Sequence, residues 1–341
     1  MMLACISLNM AQSRFGGLLG GEKGHLTGSF RGCRLRARKF GRAFHLPDTR
    51  TASRVVLTAL DTAHDSQWRQ FMGNGTTVSI LPCGAMTADL TWLLLAPGRA
   101  MRSRQDKLKP PEWTDVPSHC VLVDTPEGKL LWDTSCPRDW EDRWGPTGLG
   151  EFFPYDNVSE DEYLDSRLKQ LGLAPGDIDF VVFSHLHFDH AGNAQLFKDT
   201  NAKLVCSDVE KEFAFGFEGA YSGAHLKADY EGLEFETVSG DVDFLPGVSF
   251  IQTPGHTAGS MSMRIDLPET GTMIFTADAV YRGESYGPPS VPAAIVNNLE
   301  QWFSSVEKLR GIAEESDATM VFGHDPEQIK NLRVAPTGSY R

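Results

Sequence analysis

The chain has 341 residues, of which 41% are hydrophobic, so it is long enough for one large domain or two ordinary ones with a sizeable core. Its net charge of −13 is uneven, because residues 1–60 carry ten Lys/Arg against two Asp/Glu whereas the remaining residues carry 22 against 43. Since so acidic a body repels a polyanion and no apolar run approaches the roughly 18 residues of a spanning helix, we expect neither a nucleic-acid nor a membrane partner.

The first 71 residues form a basic segment that includes "FRGCRLRARKFGR" at 30–42. It shows no sustained helical or strand period, and its low apolar content cannot offset the entropy of ordering. We therefore predict a disordered N-terminal extension at 1–71, interpreted as sequence upstream of a natural start at Met72, and one folded domain at 72–341. An Arg-rich, acid-poor composition is also typical of an organelle transit peptide, so that alternative stays open.

The six cysteines are scattered along the chain, with neither a CxxC pair nor the density of a disulfide framework. This pattern favours reduced thiols in a cytosolic setting. We therefore expect a cytoplasmic protein, unless the basic segment directs it to an organelle. The cysteines concerned are Cys5, Cys33, Cys83, Cys120, Cys136 and Cys206.

Short apolar runs separated by turn residues begin at Thr77. In the first half of the domain they predict strands at 77–82, 89–95, 119–125, 129–134 and 179–184, with a capped helix over 159–173. The second half repeats the plan, with predicted strands at 202–207, 248–253, 260–266, 272–278 and 318–323 and helices at 207–216 and 297–313. Strands flanked by helices in two similar halves indicate an α/β protein, a four-layer αβ/βα sandwich.

The segment "VVFSHLHFDHAGN" at 181–193 places three histidines and an aspartate within six positions, directly after a predicted strand. His185 and His187 are two residues apart, so on an extended turn both side chains can point to the same side, and Asp189 and His190 follow on the next bend. Imidazole nitrogen and carboxylate oxygen suit Zn, Mn or Fe. One turn can therefore contribute ligands to two adjacent metals.

Three further polar residues each end a run that is predicted to be buried. They are His256 in "TPGHTAGS", Asp278 in "TADAVY" and His324 in "GHD". A lone histidine in such a place is more often structural than a ligand. The coincidence of all these positions with the histidine-rich turn favours a metal centre.

This pattern, HxHxDH after a strand and then His, Asp and His at strand ends, resembles the metallo-β-lactamase superfamily over about residues 77–330. Within that superfamily the motifs are similar to those of the N-acyl homoserine lactone lactonases, chiefly through Phe188 and Tyr281. The chain departs from the pattern at Asn193, where many relatives have a second glycine. That departure concerns the floor of the pocket and leaves the metal ligands untouched.

The resemblance implies a site with two divalent ions, Zn²⁺ first and Mn, Fe or Co as alternatives. One ion would be held by His185, His187 and His256, the other by Asp189, His190 and His324, with Asp278 bridging both. Metals about 3.5–4 Å apart can share a hydroxide, which provides a nucleophile at neutral pH. Consistently, the chain has no GxSxG elbow that would supply a serine nucleophile.

The reaction implied by the resemblance is hydrolytic opening of a lactone, most of all N-acyl homoserine lactones, which makes the protein a quorum-quenching enzyme. Metal-bound hydroxide would attack the carbonyl, Tyr281 would stabilise the oxyanion, and Asp189 would relay a proton. Class B β-lactamases generally carry Cys where Asp278 stands, and the acidic domain disfavours phosphodiesterases. Two alternatives stay open: hydrolysis of a cyclic amide or another carboxylic ester, and a metal-binding protein without turnover.

Other residues allow two interpretations. Asp133 in "LLWDTS" stands where relatives have an aspartate that orients a ligand histidine, but it is equally a candidate turn cap. Tyr281 is alternatively a packed aromatic residue. Several aromatic residues are candidates for either the pocket wall or the core, namely Trp92, Trp113, Phe152, Phe213 and Phe217. We expect a small-molecule lactone as the partner, and a homodimer stays open.

Overall fold

The structure, a computed structural model, describes residues 75–216 and 224–341. The predicted extension at 1–71 and the side chain of Phe217 therefore lie outside the described residues. The strands are β1 Thr77–Asp89, β2 Trp113–Thr125, β3 Gly128–Trp132, β4 Phe180–Val182, β5 Lys203–Ser207, β6 Phe235–Val238, β7 Val242–Leu245, β8 Val248–Gln252, β9 Met261–Leu267, β10 Gly271–Phe275 and β11 Thr319–Val321. The α-helices are α1 Trp140–Trp144, α2 Leu164–Gln170, α3 Asp208–Gly216, α4 Lys227–Tyr230, α5 Gly283–Tyr286 and α6 Leu299–Ser316.

Within these ranges the strands form two mixed sheets. The first has the order β1-β2-β3-β4-β5-β6, antiparallel from β1 to β3 and parallel from β3 to β6. The second has the order β11-β10-β9-β8-β7 and is antiparallel except where β10 pairs with β11. None of the described helices is both long and apolar enough to cross a bilayer.

A large apolar cluster lies between the two sheets. Buried residues of the first sheet, such as Val121 and Val182, pack in one cluster with Phe250 and Met263 of the second. Helices cover the outer faces, with α2 and α3 on the first sheet and α6 on the second. The predicted four-layer αβ/βα sandwich is therefore confirmed.

The predicted strand at 89–95 is wrong. Strand β1 instead runs on to Asp89, whose carboxylate accepts a hydrogen bond from the backbone N–H of Thr91 at 3.0 Å. This cap begins a 3₁₀ turn at Leu90–Trp92. The buried leucines of the run recur at helical rather than alternating spacing, so the apolar content that indicated a strand belongs to a helical turn.

Other differences concern the extent of elements. The helix predicted over 159–173 is regular only in α2, because Ser159 bonds to Glu162 in a separate turn ahead of it. Strands β6 and β7 were not predicted, since both lie near the sheet edges with largely exposed or half-buried residues that dilute the apolar signal.

The ends of four strands meet at one edge of the sandwich. The histidine-rich turn follows β4, His256 follows β8, Asp278 follows β10 and His324 follows β11. The first sheet thus contributes one set of side chains and the second sheet contributes the other. Close packing at this edge depends on small residues, of which Gly255 is the clearest case.

We predict opposite effects on stability for two Gly→Ala substitutions. Gly255 has φ +137°, and a Cβ there would lie 2.4 Å from the backbone of Trp302 in α6, so Gly255→Ala should destabilise the fold by about 1–3 kcal/mol. Gly311 lies inside α6 with nothing within 4 Å of a Cβ, so Gly311→Ala should stabilise it by about 0.5–1 kcal/mol. Denaturant midpoints measure both effects. An unchanged or raised midpoint in Gly255→Ala would contradict the packing described for Gly255.

Candidate metal centre

All seven predicted metal ligands converge at the strand-end edge, and each is buried. Their ligand atoms form two groups in which every atom lies within 4.8 Å of the others. The first group is His185, His187, His256 and Asp278, and the second is Asp189, His190, Asp278 and His324. The structure therefore brings together every residue that the sequence predicted, and their role as ligands stays a prediction.

In the first group three imidazoles point nitrogen atoms at one another. His256 Nε2 lies 3.1 Å from His185 Nε2, 2.9 Å from His187 Nδ1 and 3.2 Å from Asp278 Oδ2. The other nitrogen of His256 lies 2.9 Å from the carbonyl oxygen of Ile295, to which only a protonated Nδ1 can donate. A neutral ring thus presents a bare lone pair at Nε2, directed at further acceptors. Such convergence fits a cation.

The second group repeats this arrangement. His324 Nε2 lies 2.9 Å from Asp278 Oδ1 and 3.5 Å from Asp189 Oδ2, while its Nδ1 lies 2.9 Å from the carbonyl oxygen of Pro117. His190 Nε2 lies 3.1 Å from Asp278 Oδ1. Despite these short distances, neither His190 Nε2 nor Asp278 Oδ1 forms a hydrogen bond of acceptable geometry with any described residue, although both atoms are buried. Buried atoms left unpartnered in this way are what a metal-binding site requires.

Asp278 belongs to both groups. Its Oδ2 faces His256 of the first group, and its Oδ1 faces His190 and His324 of the second. A carboxylate with two oxygens can bind two ions at once, one through each oxygen. This placement is what a bridging ligand requires, so the residues fit a pair of divalent ions.

Electrostatics favour the metal-binding forms of the first-group imidazoles and of Asp278. Burial lowers the pKa of His185, His187 and His256, so these imidazoles are neutral. Burial alone would raise the pKa of Asp278, but the surrounding imidazoles hold it well below its usual range. Burial also opposes protonation of His324, yet the carboxylate of Asp278 raises its pKa. The attraction that draws a proton to His324 would equally draw a divalent cation.

Asp133 orients one of the ligands. It follows β3 with φ 59°, and its Oδ1 accepts the backbone N–H of Ser184 at 2.7 Å. Its Oδ2 accepts the Ser184 hydroxyl at 2.8 Å and lies 2.8 Å from His190 Nδ1. An Nδ1–H donated to this carboxylate leaves Nε2 of the same ring free to face the second group. Asp133 therefore does more than cap a turn.

Asn193 also acts across this loop. Its side-chain amide donates to the carbonyl oxygens of Thr134 and Cys136 at 2.7 and 2.8 Å. The segment after Asp133 is thereby tied to the end of the histidine-rich turn. A glycine could not make these bonds, so the departure at this position replaces backbone freedom with side-chain hydrogen bonds.

Tyr281 is buried at the rim of both groups. Its hydroxyl lies 2.9 Å from His256 Nδ1, and its ring stacks on His324 with centroids 5.5 Å apart. Burial raises the pKa of Tyr281 well above its ordinary value, so the hydroxyl keeps its proton. The residue is placed where a substrate bound at the groups could reach it, and its catalytic role stays a prediction.

The aromatic candidates have different surroundings. Phe188 packs edge-on against Trp144 at 4.9 Å and contacts Phe153 at 5.7 Å. Phe153 in turn contacts Trp92, which meets the half-exposed ring of Phe152 at 5.8 Å. These contacts make a continuous aromatic series from the surface to the histidine-rich turn.

Two of the remaining candidates lie elsewhere in the described structure. Trp113 is 52% exposed at the start of β2. Phe213 contacts the ring of His225 at 5.4 Å. Phe217 lies outside the described ranges.

Sequence reasoning missed three residues close to the site. Glu210 and His225 are buried and hydrogen-bonded behind the first group. His119 lines a cavity beside His190 and His324, and burial lowers its pKa to about 3. None of the three belongs to a recognisable motif. An acidic residue in the first turn of α3 looks like an ordinary helix-end charge, so only its burial identifies it.

A family model for the metallo-beta-lactamase superfamily matches residues 113–324. Among curated proteins, N-acyl homoserine lactonase AiiA of Bacillus thuringiensis subsp. kurstaki is 32% identical over 246 residues, which cover 70% of this chain and 94% of that protein. N-acyl homoserine lactonase AttM of Azorhizobium caulinodans is 29% identical, over 65% of this chain and 87% of that protein.

The chain is also similar to solved structures. An N-acyl homoserine lactone hydrolase with the product N-hexanoyl-L-homoserine bound at its catalytic metal center superposes with a TM-score of 0.63 at 28% identity, covering 76% of this chain and 97% of that one. AidC, a dizinc quorum-quenching lactonase, gives a TM-score of 0.55 at 19% identity over 74% of this chain and 88% of that one, a likeness in fold.

We predict that the purified protein binds close to two divalent transition-metal ions per chain, because two groups of ligand atoms are complete. Asp278→Ala should weaken both sites, since this residue belongs to each group. Elemental analysis after equilibration with excess metal and gel filtration measures the content. Asp156→Ala, at an exposed aspartate, is the control and should bind as the parent chain does. A parent chain that retains at most one ion would refute the dinuclear assignment.

Proposed function

We propose that this chain, which belongs to the metallo-β-lactamase superfamily, is a metal-dependent hydrolase that opens the ring ester of N-acyl homoserine lactones. The observation that carries the proposal is the sharing of the Asp278 carboxylate by two ligand groups, with the Tyr281 hydroxyl at their rim. The names of the relatives supply the substrate class. A quorum-quenching role follows from that substrate.

The metal-binding residues have a defined part in this proposal. His185, His187 and His256 would hold one ion and Asp189, His190 and His324 the other, with Asp278 shared. Such a pair of ions, Zn²⁺ in our proposal, supplies Lewis acidity and activated water at neutral pH. The chain contributes imidazoles held in place by hydrogen bonds on the far side of the rings, together with the shared carboxylate of Asp278.

Tyr281 acts as the hydrogen-bond donor to the substrate. Its protonated hydroxyl can turn from His256 Nδ1 toward a carbonyl oxygen placed over the two groups. His256 Nδ1 keeps the carbonyl oxygen of Ile295 as its partner when the hydroxyl turns away. A donor aimed at the oxygen where charge develops stabilises the transition state more than the ground state.

Asp189 provides the second chain-borne function. It is buried in the second group with Oδ2 3.5 Å from His324 Nε2 and 3.6 Å from His190 Nε2. A carboxylate in this position can take a proton from the attacking water and pass it to the ring oxygen as the ester bond breaks. The ring oxygen then leaves as a neutral alcohol rather than as an alkoxide.

The acyl chain requires an apolar surface that leads to the reacting ester. The aromatic series from Phe152 through Trp92 and Phe153 to Phe188 provides one. Its outer end is solvent-accessible, since Phe152 is 52% exposed. Burial of each methylene of an acyl chain against such rings is worth about 0.8 kcal/mol. Longer acyl chains are thus expected to bind more tightly.

We predict that fully metallated protein hydrolyses N-acyl homoserine lactones faster than matched β-lactams, cyclic amides and phosphodiesters. A pH-indicator assay over such a panel measures kcat/KM for each compound. A chelator should abolish the activity and added Zn²⁺ should restore it. A far better rate with a β-lactam or phosphodiester would contradict the lactonase proposal, and no turnover of any compound by protein with two bound ions would favour a metal-binding protein without catalysis.

We predict that Tyr281→Phe lowers lactone kcat by up to ~10²- to 10³-fold, because loss of one transition-state donor has typically this effect. Metal content should be unchanged, since the hydroxyl belongs to neither ligand group. Tyr286→Phe is the matched control, a half-buried tyrosine five residues further along, and should retain parental kcat. An unchanged kcat in Tyr281→Phe would show that this tyrosine is a packing residue.

A further inference from the structure

Glu210, in the first turn of α3, is a fully buried carboxylate with four hydrogen-bond donors. Its Oε1 lies 3.0 Å from the backbone nitrogen of Leu186 and 3.1 Å from His225 Nε2. Its Oε2 accepts the Thr257 hydroxyl at 2.6 Å and the backbone N–H of Gly259 at 3.3 Å. Each carboxylate oxygen therefore accepts two hydrogen bonds, which satisfies a buried anion.

Three of the four donors, on Leu186, Thr257 and Gly259, come from the turns that carry histidines of the first ligand group, and the fourth is His225. Leu186 stands between His185 and His187 in the turn after β4, and Thr257 follows His256 in the turn after β8. One carboxylate thus joins two chain segments from different sheets. The joint is tight, because a Cβ on Gly259 would lie 2.1 Å from the Glu210 backbone nitrogen.

His225 extends this contact to a ligand ring. Its Nε2 donates to Glu210, and its ring meets the ring of His187 edge-on with centroids 4.3 Å apart. Phe213 contacts the ring of His225 at 5.4 Å. The orientation of His187 is therefore limited by a neighbour that Glu210 itself holds in place.

We propose that Glu210 is a positioning residue for the first ligand group alone, fixing His187 and His256 through Leu186, Thr257 and His225 so that this group binds its ion tightly. The second group has a different support, since Asp133 holds His190 at 2.8 Å. Asp133 also reaches the first group through Ser184, whose hydroxyl lies 3.0 Å from His185 Nδ1, so Asp133 contacts both groups whereas Glu210 contacts the first alone. The inference rests on the proposed metal centre and goes beyond it in assigning Glu210 to one of the two ions.

Charge and hydrogen-bond direction make Glu210 hard to replace. Burial alone would raise its pKa, but the hydrogen bonds from His225 and Thr257 lower it below the ordinary value, so the side chain is an anion. In Glu210→Gln an NH₂ group must face two of the four donors. The NH₂ group and the donors that face it cannot bond to each other, so these buried groups stay unsatisfied. The turns after β4 and β8 should then be held less firmly, although the side chain keeps its size.

The test is a competitive Zn²⁺ titration of metal-free protein against a chromophoric chelator, which resolves two binding steps. Glu210→Gln should weaken one step by ~10- to 100-fold and leave the other within a few-fold of the parent chain. Glu212→Gln, at an exposed glutamate on the same helix, is the matched control and should titrate like the parent. Asp133→Asn should weaken the step that Glu210→Gln spares.

Ligand-deleted backgrounds identify the ion concerned. In His324→Ala, which removes a ligand of the second group, Glu210→Gln should still weaken the remaining tight ion by ~10- to 100-fold. In His187→Ala, which removes a ligand of the first group, Glu210→Gln should change the remaining ion little. Equal weakening in both backgrounds, or none in either, would overturn the proposal.

A milder variant guards against loss of folding. Thr257→Val removes one of the four donors and keeps the carboxylate, so it should weaken the same step by a smaller factor, with circular dichroism unchanged. No effect of Thr257→Val on either step would count against the proposal if Glu210→Gln does not fold. Two bound ions without lactone turnover would end the proposed function and leave this inference standing, whereas fewer than two ions in the parent chain would end both.

Discussion

Lone pairs of seven buried side chains face one another, and they repel one another unless positive charge lies between them. Much of the neighbouring structure can be understood from this constraint. Four strand ends bring the ligands together, and small residues such as Gly255 allow the turns to approach. A fold that assembles such a cluster is stable in that arrangement only with cations bound or protons taken up.

The direction of each lone pair is set from outside the cluster. His256 and His324 bond backbone carbonyl oxygens through Nδ1, and His190 bonds a carboxylate through the same atom. These three partners fix the tautomer and the ring angle, so Nε2 is the atom offered to the site. His187 differs, because its Nδ1 faces the cluster and its ring is held by the ring of His225. Preorganisation of the site thus resides in residues that contact the candidate ligands without belonging to either ligand group.

The convergence of the seven candidate ligands was predictable from the sequence because the signals are local: four lie in one turn, and the others follow apolar strands. The sandwich was predictable for the same reason, since apolar periodicity reports burial. Glu210 was not, because its donors are at least 15 residues away in sequence and nothing local distinguishes it from the exposed Glu212. The prediction of a strand at 89–95 was wrong because an apolar run alone does not distinguish a buried strand from a buried helical turn such as Leu90–Trp92.

The two sheets contribute unequal but complementary parts of the cluster, since the turn after β4 belongs to the first sheet and the residues after β8, β10 and β11 belong to the second. Ions bound there would link the two sheets of the sandwich to each other, much as a covalent cross-link would. Because such ions bind only the assembled halves, occupancy and cohesion of the fold are thermodynamically linked. Depletion of metal would then lower the stability of the whole domain and would also remove the metal-dependent chemistry at one edge.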